Sequence, residues 1–473
     1  MLSSDLLYGK KALWKRRYYM LEKIFKLKTH NTNVKTEVIA GATTFMVMAY
    51  IIAVNPTILS STGMDETAVL IATCTATFVG TLLMGLVANL PFVISAGMGL
   101  NAFFAYTVCD SMGVPWQVAL LAVFVEGIIF LIIALTPVRN AIVEAIPLSI
   151  KQAITVGIGL FIAFIGLQNG GLVVAGSKLV APVDIKEDFH TAGICAIIAI
   201  IGILITFVLY IKRVPIALLV GVAGTWCIGM LAQAAGIYVP NEAQGFYSLY
   251  PSFGITDFSA VGKTFASCFD FKMLDTVGIA NFIIIMFSFL FVDFFDTVGT
   301  LIGVSLKAGM LDEKGKLPQM RSAMVANSVA VMTGSVMGCS TTAPFVESAA
   351  GVGAGGRTGL TAVTTGALFL VSMLFAPVIT SIPLFATAPP LVVVGFVMFS
   401  TVTDIKMGEK DWISAVPAYI CILVMPLFYS ISEGISLGII SYVLISLFCG
   451  KAKTIKPVMY VLAALFLLKY IFI

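Results

Sequence analysis

Charge is scarce in this chain. Of its 473 residues, 11% are Asp, Glu, Lys or Arg and 59% are hydrophobic, whereas a soluble domain carries roughly 25% charged residues. So little charge cannot cover a water-facing surface, which excludes a soluble globular protein. Histidine is scarcer still: His30 precedes the first apolar run and His190 lies in a loop, so neither suits proton handling inside a membrane. The eight cysteines (Cys74, Cys109, Cys195, Cys227, Cys268, Cys339, Cys421, Cys449) are scattered, without a CxxC pair or a cluster with histidine. Neither a metal site nor a disulfide framework follows from that spacing, and no cofactor is expected. A nucleophile–base pair is also missing, which argues against an enzyme.

What the chain has is long apolar runs. They fall near 38–60, 66–90, 92–110, 116–136, 147–167, 191–211 and 214–236, then near 276–302, 320–338, 343–357, 359–380, 383–404, 411–430 and 433–450. Each is long enough to span or half-span a bilayer. A more polar stretch, 237–275, reads as an extracellular linker, and a last run, 458–468, is short enough to lie at the interface. The first apolar run is of full helix length, so no cleavable signal peptide is expected.

Residues 1–36 carry nine Lys or Arg against Asp5 and Glu22. Beside a spanning helix this reads as a cytoplasmic anchor in contact with the bilayer, not as a nucleic-acid arm. Alternate loops continue the bias, with Arg139, Lys212 and Arg213, Lys307 to Arg321, Arg357, Lys406 and Lys410, and Lys451, Lys453 and Lys456 on one side. The other side has Asp65, Glu66, Asp110, Asp184, Glu187 and Asp188. Both termini are expected in the cytoplasm of a multi-pass plasma-membrane protein.

Two short matches suggest an internal repeat. Pro91-Phe92-Val93-Ile94-Ser95-Ala96 resembles Pro344-Phe345-Val346-Glu347-Ser348-Ala349, and Ile146-Pro147-Leu148 recurs as Ile382-Pro383-Leu384. They occupy the third and fifth spans of each half. Seven spans per half is odd, so the halves must be inverted, as in many secondary transporters. The third and tenth spans also contain Pro and Ser/Thr where a helix should run. Broken segments at membrane depth persist only where they line a cavity or lie inside protein, and paired breaks point to a substrate site. Gly351, Gly355 and Gly359 follow at four-residue spacing, as in a helix-packing face.

Ionisable residues concentrate near those breaks. In Phe291 to Thr300, Asp293, Asp296, Thr297 and Thr300 follow i, i+3, i+4, i+7 and share one helix face, with Phe291, Phe294 and Phe295 around it. Glu347 sits at the tenth-span break and Asn101 in the third span. A charge at the bilayer centre costs at least ~2.5–3.5 kcal/mol on insertion scales, so such acids are functional by default; the alternative is an internally satisfied polar network. No Lys or Arg neighbours them. Paired acceptors suit a planar ligand with adjacent N–H groups, aromatic faces suit stacking, and crowded acids can carry a proton. Glu126 reads either as a proton-path residue or as a helix–helix hydrogen-bond donor.

Glu37 to Met46, Ser95 to Ala102, Phe291 to Thr300 and Ser340 to Gly359 together resemble the AzgA-like adenine/guanine/hypoxanthine permeases of the nucleobase–ascorbate (xanthine/uracil) transporter superfamily. The resemblance runs from about Val34 to the end. It implies an all-α membrane protein with a uracil-permease-like fold: fourteen spans in two inverted seven-span repeats, with short strands in spans three and ten. The implied division is a core from 37–140 and 276–380, a gate from 141–236 and 381–450, the 237–275 linker, and a 451–473 tail. Carried over by motif, Asn101, Asp293 and Glu347 bind purine with backbone near Val346, and Asp296 is needed for transport. Proton-coupled import, with Asp296, Glu347 and Glu126 as coupling candidates, and a homodimer through the gate are further implications. The rival readings are the same fold carrying uracil, xanthine or urate, or an anion exchanger or channel.

Overall fold

The computed structural model describes residues 20–137, 147–175, 180–186, 188–214, 216–241, 245–312, 316–408 and 411–472. Expectations attached to Lys10 through Arg17, Arg139, Ile146, Glu187 and Lys410 lie outside these residues.

Every expected span has a counterpart. In the first half, α1 (Val34–Met48) bends into α2 (Ile51–Ser60), followed by α3 (Glu66–Leu83). Strand β1 (Ile94–Ala96) leads into α4 (Met98–Ala102) and a π-helical turn, Phe103–Ser111. Then come α5 (Trp116–Leu135), α6 (Leu148–Asn169), a hairpin of β2 (Val173–Ala175) and β3 (Val180–Pro182), α7 (Ile194–Ile211) and α8 (Ala217–Ala234). The second half runs α9 (Ile279–Ala308), α10 (Met320–Met337), β4 (Thr342–Pro344) leading into α11 (Ser348–Gly353), α12 (Gly359–Ser372), α13 (Ala388–Phe399), α14 (Trp412–Leu427) and α15 (Ile431–Phe448).

Among the described residues, nine helical stretches are long and apolar enough to cross a membrane, and two further apolar helices are shorter. The remaining segments are the two strand-led ones and α10. That helix has spanning length but is diluted by polar residues, and its Asn327, Ser328 and Ser335 are fully buried. It is a protein-facing helix, so it has no need of a lipid-compatible surface.

Packing draws on both halves. α5 packs on α9 and α10, α3 on α10 and α12, and α1 on α12. Separately, α6 packs on α13, α14 and α15, and α7 on α8 and α13. Where the π-helical turn that follows α3, Met84–Ala88, meets α12, the contact is close because glycines face each other: a Cβ on Gly359 would lie 1.9 Å from the Gly85 carbonyl oxygen. At the start of α12, the fully buried Glu37 of α1 collects five donors. Its carboxylate accepts from the amides of Arg357 (2.9 Å), Thr358 (3.2 Å) and Thr361 (3.3 Å), and from the hydroxyls of Thr358 (2.8 Å) and Thr361 (2.7 Å). A helix start leaves amides without partners, and here a carboxylate from another helix supplies them.

Outside the membrane segments, Asp65 caps α3 by accepting from the Ala68 amide (2.9 Å) and takes the Lys263 ammonium at 2.5 Å. Partial burial raises its proton affinity, but the bonds from Lys263 and the α3 amides outweigh that and hold the carboxyl below its ordinary range. The 237–275 region is tied down by this bridge and by hydrogen bonds from Thr256 to Met373 O and from Thr264 to Met337 O.

Three sequence readings need correction. Pro91 lies three residues before β1, whereas Pro344 ends β4, so the Pro-Phe-Val match does not join equivalent positions. Short identities are cheap in apolar sequence, and this one is coincidental. The Pro147 and Pro383 match does hold, since each caps the start of a helical segment. The three glycines do not form one helix face: α11 ends at Gly353, Gly355 takes φ +102°, open to glycine at no steric cost, and Gly359 begins α12. Finally, the last run forms a longer helix than expected, α16 (Pro457–Phe472), which packs on α15 and buries Met459, Leu462, Ala463 and Phe466.

Candidate functional site

The third and tenth segments meet as strands. β1 and β4 pair antiparallel, with Ile94 opposite Pro344, Ser95 opposite Ala343 and Ala96 opposite Thr342. The pairing extends through Gly97 N to Thr341 O (3.1 Å) and Phe345 N to Val93 O (3.0 Å). Extended backbone inside a membrane protein must find donors and acceptors other than water, and α3 supplies them with threonines. Thr81 accepts from the Ile94 amide (3.1 Å) and donates to the Ile94 carbonyl (3.0 Å), while Thr77 meets Ser95 at 2.7 Å. Because the strands are antiparallel, the helices that follow them, α4 and α11, leave the crossing in opposite directions. That is the inversion of the two halves expressed at the site.

Side chains from both halves gather around this crossing in two layers. The first is half-buried: Asp296 on α9 and Glu347, the residue preceding α11, with Val346 beside it 39% exposed. Asp296 lies near enough to Glu347 to sense its charge. One Glu347 oxygen accepts from the Tyr50 hydroxyl at 2.9 Å. The Val346 carbonyl is taken by the Ala349 amide (3.0 Å), the first turn of α11.

The second layer is fully buried. Asp293 accepts from Asn327 Nδ2 at 3.3 and 3.1 Å and from Thr297 Oγ1 at 3.0 Å. Asn327 Nδ2 also reaches Thr297 Oγ1 at 3.0 Å. Glu126, buried on α5, places its carboxyl against that of Asp293. On the other side of the crossing, Asn101 donates to Asn55 Oδ1, and Asn55 donates to Thr73 Oγ1 at 2.8 Å. The Asn101 carbonyl oxygen is buried without a partner among the described residues, an acceptor left open in the wall of the site.

The helix-face expectation for Asp293, Asp296, Thr297 and Thr300 is met by one continuous α9, although depth splits its two acids. The aromatic expectation is only partly met. Phe294 packs on Phe130 (centroids 5.9 Å apart) and Phe291 on Phe466 (5.6 Å), so both rings are committed to helix packing. The Phe295 side chain lies outside the described residues. Sequence reasoning missed Tyr50, Asn55 and Asn327. A side-chain amide within an apolar run is also costly to leave unpaired, so Asn55 and Asn327 were there to be found; Tyr50 gave no such signal.

A strand crossing between inverted halves, lined by carboxylates and amides inside an apolar helical bundle, defines a secondary transporter of the broken-segment type. Comparison with known proteins agrees. The profile of the Permease family (xanthine/uracil permeases) matches residues 35–437. The chain is 41% identical to the guanine/hypoxanthine permease PbuO of Bacillus subtilis, covering 94% of this chain and 99% of that one. With the adenine permease AdeP of Escherichia coli it shares 39% over 96% of each chain. In structure it resembles the transmembrane domain of a cyanobacterial bicarbonate transporter, BicA, with TM-score 0.60 at 13% identity, covering 86% of this chain and 97% of that one. The chain belongs to the xanthine/uracil permease family: it is a multi-pass membrane permease, not an enzyme.

Proposed function

We propose that the protein imports purine nucleobases, adenine, guanine or hypoxanthine, together with protons across the plasma membrane. The observation that carries the reading is the set of acceptors around the strand crossing: Glu347 and Asp296 in the half-buried layer, Asp293 behind them, and the open side-chain oxygen of Asn101. A purine offers N–H groups along one planar edge, which paired carboxylate and amide oxygens match. Asn101, Asp293, Glu347 and the backbone at Val346 grip the base, and Asp296 serves transport. The helices 37–140 and 276–380 move as a core against a gate of 141–236 and 381–450, both termini face the cytoplasm, and two copies pair through the gate.

An anion exchanger is the less favoured reading, because an anion at the crossing would meet carboxylates at short range. Uracil, xanthine or urate would use the same acceptors, and competition separates them. In cells lacking their own nucleobase permeases, labelled adenine or hypoxanthine uptake should be blocked by unlabelled purine nucleobases and not by uracil. In proteoliposomes, uptake should rise with an inward proton gradient and collapse with a protonophore. Indifference to both treatments would make the protein a uniporter.

Tyr50→Phe removes one donor from Glu347 and little else. Its loss should weaken purine binding by about 1 kcal/mol, roughly fivefold in Kd by calorimetry. A variant that binds as tightly as wild type would show that Glu347 orients without its hydroxyl partner.

A further inference from the structure

Glu126 lies mid-way along α5, fully buried. No N–H or O–H of the described residues reaches either of its carboxyl oxygens. What faces it is another acid, Asp293 of α9, whose own oxygens already hold Asn327 and Thr297. Two ionised carboxylates in contact repel strongly. A hydrogen bond between two carboxyls exists only when one of them carries a proton.

Of the other ionisable groups, Asp296, one turn along α9, reaches Asp293 with its charge, and Lys151 on α6 and Glu433 on α15 lie on helices that also pack on α9. α10, which also packs on α5, carries a single ionisable residue, Arg321, at its first turn, and presents Asn327 to the pair. The turn Ser267–Phe269 brings Cys268, but Phe269 rests on Phe124, two residues from Glu126 and so on the far side of α5. The π-helical turn 103–111 holds Tyr106, Cys109 and Asp110, and the turn 271–276 holds Asp270 before it with Lys272 and Asp275 within it. Both turns pack on α5. On α9 the next acid, Asp296, belongs to the half-buried layer with Glu347.

We propose that Glu126 and Asp293 form a carboxyl–carboxylate pair that binds one exchangeable proton, and that this pair is where the coupling proton rides. This deepens the proton-coupled reading above and rests on it. Its balance is simple: one proton joins the pair on the side of higher proton activity and leaves on the other, and no covalent bond to carbon changes. Glu126 comes from the first half, while Asp293, Asn327 and Thr297 come from the second, so the proton is held across the repeat boundary. With the proton present, Asp293 is held in place by three donors. Without it, two carboxylates face each other and Asp293 cannot keep its position at the base. Substrate binding and proton binding are thereby linked through one residue.

Glu126→Gln replaces the acid O–H by a fixed N–H, locking the pair in its protonated form. Infrared difference spectra of the purified protein, taken across about pH 5 to 9, should show a protonated-carboxyl C=O band that disappears as pH rises. That band should be missing from Glu126→Gln, and missing or shifted in Asp293→Asn, which serves if the first variant folds poorly. In parallel, calorimetry should show the wild-type purine Kd rising roughly tenfold per pH unit above the titration of the pair, as one-proton linkage requires. The Glu126→Gln profile should be flat. A band unaffected by both substitutions, or one that persists throughout the pH range, would overturn the proposal and leave Glu126 a permanent structural donor. If wild type shows the titrating band but binds no purine at any pH, the purine reading fails and the proton pair stands.

Discussion

Glu347→Gln and Asp293→Asn should each weaken purine binding roughly ten- to hundredfold in detergent, measured by calorimetry or thermal shift. The amide keeps the size but turns one acceptor oxygen into a donor, so a purine N–H meets an N–H. A mismatch of that kind costs on the order of 1–3 kcal/mol. Glu347→Gln is the cleaner case, because the Tyr50 hydroxyl can still donate to the amide oxygen. In Asp293→Asn the new N–H₂ also confronts the Asn327 N–H₂, so some destabilisation of the α9–α10 contact should accompany the loss. Asp296→Asn should retain measurable binding but abolish accumulation in cells. Equal binding losses in all three would mean the acids act as one inseparable network. Unchanged binding in the first two would place the substrate elsewhere.

Replacing Glu37 by alanine should lower the stability of the whole molecule more than any other single change considered. It strips the start of α12 of a carboxylate that satisfies three amides and two hydroxyls in a fully buried setting. Leaving even some of those donors unpaired costs about 3 kcal/mol or more. The expected result is a fall of several degrees in melting temperature in detergent and a smaller yield of monodisperse protein. Glu37→Gln, which keeps one acceptor oxygen, should fall between the two. If Glu37→Ala melts with wild type, water or a neighbouring group replaces the carboxylate, and the contact between α1 and α12 does not depend on it.

The backbone plan was readable in the sequence because lipid imposes it. A span must be long and apolar, and a break must be polar and proline-bearing, so the fourteen segments and both broken ones announce themselves locally. The acid face of α9 was readable for the same reason, since period and cost are both local properties. What was not readable depends on partners far along the chain. Tyr50 and Glu347 are 297 positions apart, and Glu37 and the α12 start are more than 300 apart. Nothing in the run around Glu37 says which helix it will cap. Likewise, spacing gave Asp293 and Asp296 the same face but not the same depth. That difference comes from α5 and α10 closing over one acid and not over the other.

The antiparallel pairing of two three-residue strands has a consequence for how the protein is made. β1 emerges from the ribosome about 250 residues before β4, a gap on the order of tens of seconds at ordinary elongation rates. During that interval the first half sits in the bilayer with a strand edge and the Glu126 carboxyl waiting for partners that have not been synthesised. Thr77 and Thr81, which bond to the strand from the neighbouring helix, belong to the same half and are already present. They can shelter the nascent strand from lipid until its partner arrives. Substituting them should therefore harm insertion and assembly in the cell more than it harms the finished protein.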